Sequence, residues 1–217
     1  MRLSYSALSK FDQCPRQFQH LYVLRDVQQA PSAAADQGVA IHEALERAVR
    51  DKVPLPADME VLAPYVALLA RYPGQVLPEV ALAADQYLKP CVYEQGYIVG
   101  KLDVLCVDGS KALILDWKAG KPRDNASQMR IYAWLAMLHY PEIQDVVTRP
   151  VYLYYPEKRA QTATHTRASM HALRREVQEK AVKVELAVER GAFPARPSAL
   201  CGWCPVKTCQ HNPEHGA

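Results

Sequence analysis

Apolar positions along the chain change their spacing near residue 75, and that change separates two kinds of expected element. Before it, the spacing is helical. "SYSALSKFDQC" opens a helix capped by Ser4 or Ser6, interrupted at Pro15 and resumed through "RQFQHLYVL". The segment "QQAPSAAAD", 28 to 36, reads as a loop. In "DQGVAIHEALERAVRD", Ile41, Leu45, Ala48 and Val49 fall on one stripe, with Asp36 near the helix start. Helical pattern returns at 57 to 71. From about 76 the period shortens, and "QVLPEVALAAD", "YIVGKLDVLCV" and "KALILDWKA" read as strands. A helix from about Asn125 to His139 follows, then a strand at "VVTRPVYLYY". The chain closes with an amphipathic helix from about Ser169 to Arg190, stopped by Gly191, and a cysteine-bearing tail. Helices around a short central sheet predict an α/β or α+β class.

Composition limits the organisation. A chain of 217 residues, 49% hydrophobic, fills one core and is read as a single domain with a helical part (about 1–75), a core (about 76–165) and a long helix with its tail (about 166–217). No apolar run approaches the roughly 18 to 20 residues of a bilayer span. The N-terminus lacks the apolar centre of a signal peptide, so a cytoplasmic location is expected. In a reducing compartment six cysteines point toward metal rather than disulfides. The net charge of +3 permits a polyanionic partner without arguing for one.

The chemistry gathers around "LILDWKAGKP". Asp116 and Lys118 point the same way from one strand. Asp108, Gly109 and Ser110 signal a hairpin turn, which pairs residues 97 to 107 with 111 to 118. A turn centred on Gly109 and Ser110 sets Asp103 directly opposite Asp116; a turn one residue earlier sets it diagonally. Two carboxylates that close repel unless a cation lies between them. Hard oxygen ligands with open positions suit Mg²⁺ or Mn²⁺, and the lysine can orient a water for attack on a phosphodiester. A solvated surface ion pair is the alternative reading of the triplet alone.

"GKLDVL", "LILDWKAG" and "QMRIY", taken in order, resemble the PD-(D/E)XK nuclease superfamily, specifically its RecB-like branch. The resemblance covers about residues 4 to 209 and implies a restriction-endonuclease-like core: a small central mixed sheet flanked by helices. It implies catalytic roles for Asp103, Asp116, Lys118, Gln128 and Tyr132. It implies a Mg²⁺ or Mn²⁺ site formed by His42, Asp103, Asp116 and the backbone carbonyl of Trp117. Glu79 in "LPEVAL" matches an acid that opens the first core strand and is taken as accessory. Gln128 and Tyr132, four apart, share a helix face. Lys121, Arg123 and Arg130 are basic residues able to meet backbone phosphates.

The tail "CGWCPVKTCQH" holds Cys201, Cys204 and Cys209, and three sulfurs want a fourth ligand. His211 or His215 would complete a zinc site; Cys14 would supply a fourth thiolate. Iron–sulfur members of the RecB-like branch, including the CRISPR-associated adaptation exonucleases, take one cysteine from an N-terminal "C-P" segment and three from the tail. The resemblance therefore implies a [4Fe–4S] cluster on Cys14, Cys201, Cys204 and Cys209 that joins the two terminal segments. The four residues between Cys204 and Cys209 depart from the family's usual five, and Zn²⁺ stays the alternative. Cys91 and Cys106 read as buried small hydrophobes.

The function so implied is metal-dependent exonuclease action on DNA ends or single strands, in recombination, repair or spacer processing, in a bacterium or its phage. The alternative is a nuclease subunit or DNA-binding module acting within a larger complex or homo-oligomer. The stripe Leu173, Val177, Val184 and Val188 is where a partner face would show, although such stripes are more often core.

Overall fold

The computed structural model describes residues 1–29, 32–156 and 161–215. Its chain divides into two compact units, one built from Leu3–Pro31 with Arg175–Ala217 and the other from Ser32–Arg174. In chain order the helices are α1 (Tyr5–Gln13), α2 (Pro15–Phe18), α3 (Ala33–Arg50), α4 (Ala63–Leu69), α5 (Ala126–His139) and α6 (Met170–Glu189). The strands of the larger unit are β1 (Gln75–Ala84), β2 (Pro90–Cys91), β3 (Ile98–Asp108), β4 (Lys111–Lys118), β5 (Asp145–Tyr152) and β6 (Ala163–Thr166). No helix among the described residues is long and apolar enough to cross a membrane.

In the smaller unit the Ser4 hydroxyl accepts the Ala7 N–H and caps α1. Pro15 then ends one helix and starts the next, because its missing N–H is tolerated in a first turn. The chain continues as a π-helical turn over Gln19–Leu24. Phe18 packs edge-on to Phe11 at 5.3 Å and stacks on Tyr22 at 5.1 Å, which fixes this bend. Lys180 of α6 meets Asp12 at 2.8 Å. Along α6, Val177, Ala181 and Val184 are buried in this unit, and Leu173, which belongs to the larger unit, is buried too; Val188 stays exposed.

The larger unit is a mixed sheet in the order β2-β1-β3-β4-β5-β6. All pairs are antiparallel except β4 with β5. A parallel pair needs a crossover, and α5 provides it. Ile41, Leu45 and Val49 of α3 pack with Leu62, Leu69, Val104, Cys106, Leu115 and Trp117 in one cluster. Burying these side chains contributes about 1.5–3 kcal/mol for each large one. Helix α5 is apolar nearly all round, as a helix enclosed by its own unit must be. Gly100 of β3 lets it come close: a Cβ there would lie 2.7 Å from Leu135 Cδ1 and 3.2 Å from the Tyr132 ring. At the far end of α5 the Arg167 guanidinium donates to the carbonyls of Met137, Tyr140, Pro141 and Ile143. One cation thus satisfies the Met137 carbonyl, in the last turn of the helix, and ties it to the turn that follows.

The architecture is the expected mixed α/β one, with local differences. Helix α3 begins within the segment expected to be a loop, because the Ser32 hydroxyl accepts the Ala35 N–H and starts it early; Ala30 and Pro31 of that loop lie outside the described residues. The helical stretch at 57 to 71 is a 3₁₀ turn over Ala57–Leu62 followed by α4. The short polar strand β6 was not expected.

Candidate active site

The hairpin of β3 and β4 delivers the first carboxylates. Its ladder runs from Asp108 opposite Lys111 to Val104 opposite Leu115, so the turn is Gly109 and Ser110 and Asp103 comes opposite Asp116. Gly109 takes the left-handed conformation the turn demands, with φ +56°. Past Val104 the Asp103 carboxylate accepts the Trp117 N–H at 2.6 Å.

Asp116 is 2% exposed and lies at the centre of a polar chain. Lys118 Nζ meets its Oδ2 at 2.5 Å and also donates to Gln128 Oε1 at 2.9 Å. Gln128 Nε2 donates to Asp116 Oδ1 at 3.1 Å and to the Tyr132 hydroxyl at 2.9 Å. The amide thus reads all three neighbours, which fixes the Lys118 ammonium in one place. Burial raises the Asp116 carboxyl from 3.8 to about 6; Lys118 pulls it down and Asp103 pushes it up. Burial, aided by the Asp116 charge, also raises Tyr132, which therefore stays a neutral hydroxyl.

Opposite this chain, His42, Glu79 and Asp103 each offer a ligand atom, all within 4.8 Å of one another. His42 projects from α3, and its Nδ1 lies 3.2 Å from Asp103 Oδ1. Burial alone would lower the His42 pKa, but the Asp103 hydrogen bond and the charges of Asp103, Asp116 and Glu79 raise it. Glu79 takes φ +52° in a break of the ladder between Pro78–Val104 and Val80–Leu102. A left-handed non-glycine residue in a strand re-aims its side chain, here into the group with His42 and Asp103. An imidazole and two carboxylates so close, beside a third carboxylate buried with its pKa raised, fit a hard divalent cation. The family resemblance gave Glu79 as accessory; it stands in the ion-sized group, while Asp116 is held by Lys118 and Gln128.

His42, Asp103, Asp116, Lys118, Gln128 and Tyr132 all line one cavity of about 700 Å³. The loop after β4 brings Lys121 and Arg123 to the same cavity. A knot holds that loop: Tyr152 Oη accepts the Arg123 N–H at 3.1 Å and Asn125 Nδ2 at 2.7 Å, and donates to the Arg123 carbonyl at 2.6 Å. Arg130 is not brought there. It lines a second cavity of about 370 Å³ with His165 and Ser169.

In the smaller unit, Cys14, Cys201, Cys204 and Cys209 line a separate cavity of about 20 Å³. None is in a disulfide. The Arg196 N–H points to Cys14 Sγ at 3.5 Å and the Ser198 N–H to Cys201 Sγ at 3.4 Å. Burial raises the Cys204 thiol, and the other three cysteines add to the rise. Among the described residues no cysteine trio gathers within 4.8 Å. Four thiolates on one Zn²⁺, with bonds of about 2.3 Å, would lie about 3.8 Å apart. The four thiols thus share one cavity without forming an ion-sized group.

A family model described as the PD-(D/E)XK nuclease superfamily matches residues 2–209. Among solved structures, the chain is similar to a Eubacterium rectale protein provisionally described as an exonuclease, with a TM-score of 0.54, 14% identity, and coverage of 94% of this chain and 86% of that one. It is also similar to the structure named SSO0001, with a TM-score of 0.45, 12% identity, and coverage of 97% and 87%. No curated protein matches the chain.

Proposed function

Since the chain belongs to the PD-(D/E)XK nuclease superfamily, its family model spanning residues 2–209, we propose that it is a metal-dependent exonuclease acting on DNA ends or single strands. The observation that carries this reading is the chain Asp116–Lys118–Gln128–Tyr132 sharing one cavity with His42 and Asp103, beside which Glu79 also offers a ligand atom. Asp103, Asp116, His42 and the Trp117 carbonyl would hold Mg²⁺ or Mn²⁺. Such a cation would lower the pKa of a bound water and offset charge on the phosphate. The remaining work falls to side chains. Lys118, fixed by Gln128, donates to the attacking water or to a phosphate oxygen and stabilises the negative charge that develops there. Lys121 and Arg123 contact the backbone phosphates of the strand, and the Tyr152 knot holds their loop in place beforehand.

The resemblance to the RecB-like branch supports a role in recombination, repair or spacer processing. It also supports a [4Fe–4S] cluster on Cys14, Cys201, Cys204 and Cys209, with a structural role in the smaller unit. The test is digestion of end-labelled single- and double-stranded DNA with Mg²⁺ or Mn²⁺, comparing the wild type with Asp116→Ala and Lys118→Ala. Metal-dependent laddering from an end, lost in both variants, supports the reading. Absence of cleavage by folded wild type, with activity appearing on addition of a partner protein, would replace it with the subunit reading.

A further inference from the structure

Glu79 has a second neighbour that the reaction does not call for. Lys101 Nζ lies 2.6 Å from Glu79 Oε2, and the Lys101 pKa is raised by that hydrogen bond and by the charges of Glu79 and Glu46. The Glu79 side chain is 12% exposed and the Lys101 side chain 62% exposed, so the lysine reaches in from solvent to a sheltered acid. On the other side, Arg50 of α3 pairs with Glu46 and donates to the Pro78 carbonyl at 3.1 Å, next to the left-handed Glu79. Glu79 is thus turned toward His42 and Asp103 by its backbone, yet already carries a cation.

We infer that Lys101 is a specificity-determining residue that limits this site to a single divalent ion by occupying Glu79 with its ammonium. The inference rests on the metal-dependent reading above and adds to it the number of ions. With Asp103, Asp116 and His42 available for one ion, a second would need Glu79 as its main carboxylate, as a bridged pair of ions does. A divalent ion bound there would stand about 5 Å from the Lys101 ammonium. Even with the screening of bulk water, a single and a double charge at that distance repel enough to weaken binding about tenfold. Removing the ammonium both frees the carboxylate and lifts that repulsion.

The experiment is a Mn²⁺ titration of the full-length protein without DNA, with free Mn²⁺ read by electron paramagnetic resonance, on wild type, Lys101→Met, the double variant Lys101→Met/Glu79→Gln, and Asp103→Asn. Thermal unfolding checks that each is folded; Lys101 is largely exposed, so its substitution leaves the core intact. The expected result is one Mn²⁺ per wild-type chain, two per Lys101→Met chain with the second at least about tenfold tighter than any residual second binding in wild type, and one again in the double variant. Two ions in wild type, or one in both wild type and Lys101→Met, would overturn the inference while leaving the metal site standing. No Mn²⁺ in wild type would overturn the metal-dependent reading and this inference with it. Loss of binding in Asp103→Asn with one ion in wild type supports the reading independently of Lys101.

Discussion

Replacing Asp116 by asparagine should change the pH dependence of stability in a direction opposite to that of most carboxylates. Asp116 is nearly fully buried, and burial outweighs the Lys118 ion pair, raising its pKa from 3.8 to about 6. A carboxyl whose folded pKa lies above its unfolded value contributes stability that is complete below about 3.8 and is lost as pH rises through about 6. The shift is about two pH units, and each is worth about 1.36 kcal/mol, so about 3 kcal/mol is at stake. His42 is raised above 6.5, so its contribution is lost only at higher pH and leaves the window from pH 4 to 6 to Asp116. The assay is urea unfolding in EDTA from pH 4 to 7. Wild type should lose about 3 kcal/mol relative to Asp116→Asn across that range. Adding Mn²⁺ at pH 7 should restore stability to wild type and not to the variant, because the ion favours the ionised carboxylate. Parallel pH profiles for the two proteins, or a wild type that gains on the variant as pH rises, would refute the argument that burial dominates at Asp116.

Lys118→Ala should reduce DNA cleavage by about 100-fold or more, with Mn²⁺ stoichiometry unchanged, as a titration beside the cleavage assay would show. Arg167→Ala removes the donor from four carbonyls at the end of α5 and should cost about 2–4 kcal/mol in chemical denaturation. Tyr152→Phe deletes the hydroxyl that holds the basic loop; stability should fall by about 1–2 kcal/mol, and KM for DNA should rise more than kcat falls.

Much of the site was readable because its geometry follows from local rules. The turn at Gly109 and Ser110 sets the register of β3 on β4, and register alone brings Asp103 opposite Asp116. The spacing of Gln128 and Tyr132 on one helix likewise predicts that both reach one centre, and both bond there. His42 was harder, since the apolar stripe beside it, Ile41 and Leu45, is equally that of a core helix; only the fold brings Asp103 to it. The placement of Glu79 beside His42 and Asp103 was not legible, because it depends on a left-handed backbone break that no glycine announces. The contacts of Lys101, Tyr152 and Arg167 were not legible. Each reaches partners 22 or more residues away, counting from Lys101 to Glu79, Tyr152 to Arg123 and Arg167 to Ile143, and no local pattern marks such contacts. The strand β6, "ATHT", carries no apolar alternation, so pairing with β5 alone makes it a strand.

The four cysteines that line one cavity come from opposite ends of the sequence, Cys14 from one and Cys201, Cys204 and Cys209 from the other. On the ribosome this becomes a matter of timing. At about 5–20 residues per second, roughly 10–40 s separate the synthesis of the first thiol from that of the second. The larger unit, continuous from Ser32 to Arg174, is complete before any of the last three cysteines exists. Cys14 must therefore wait without the other three while the larger unit folds, and a group held by all four could enter only after synthesis has passed Cys209.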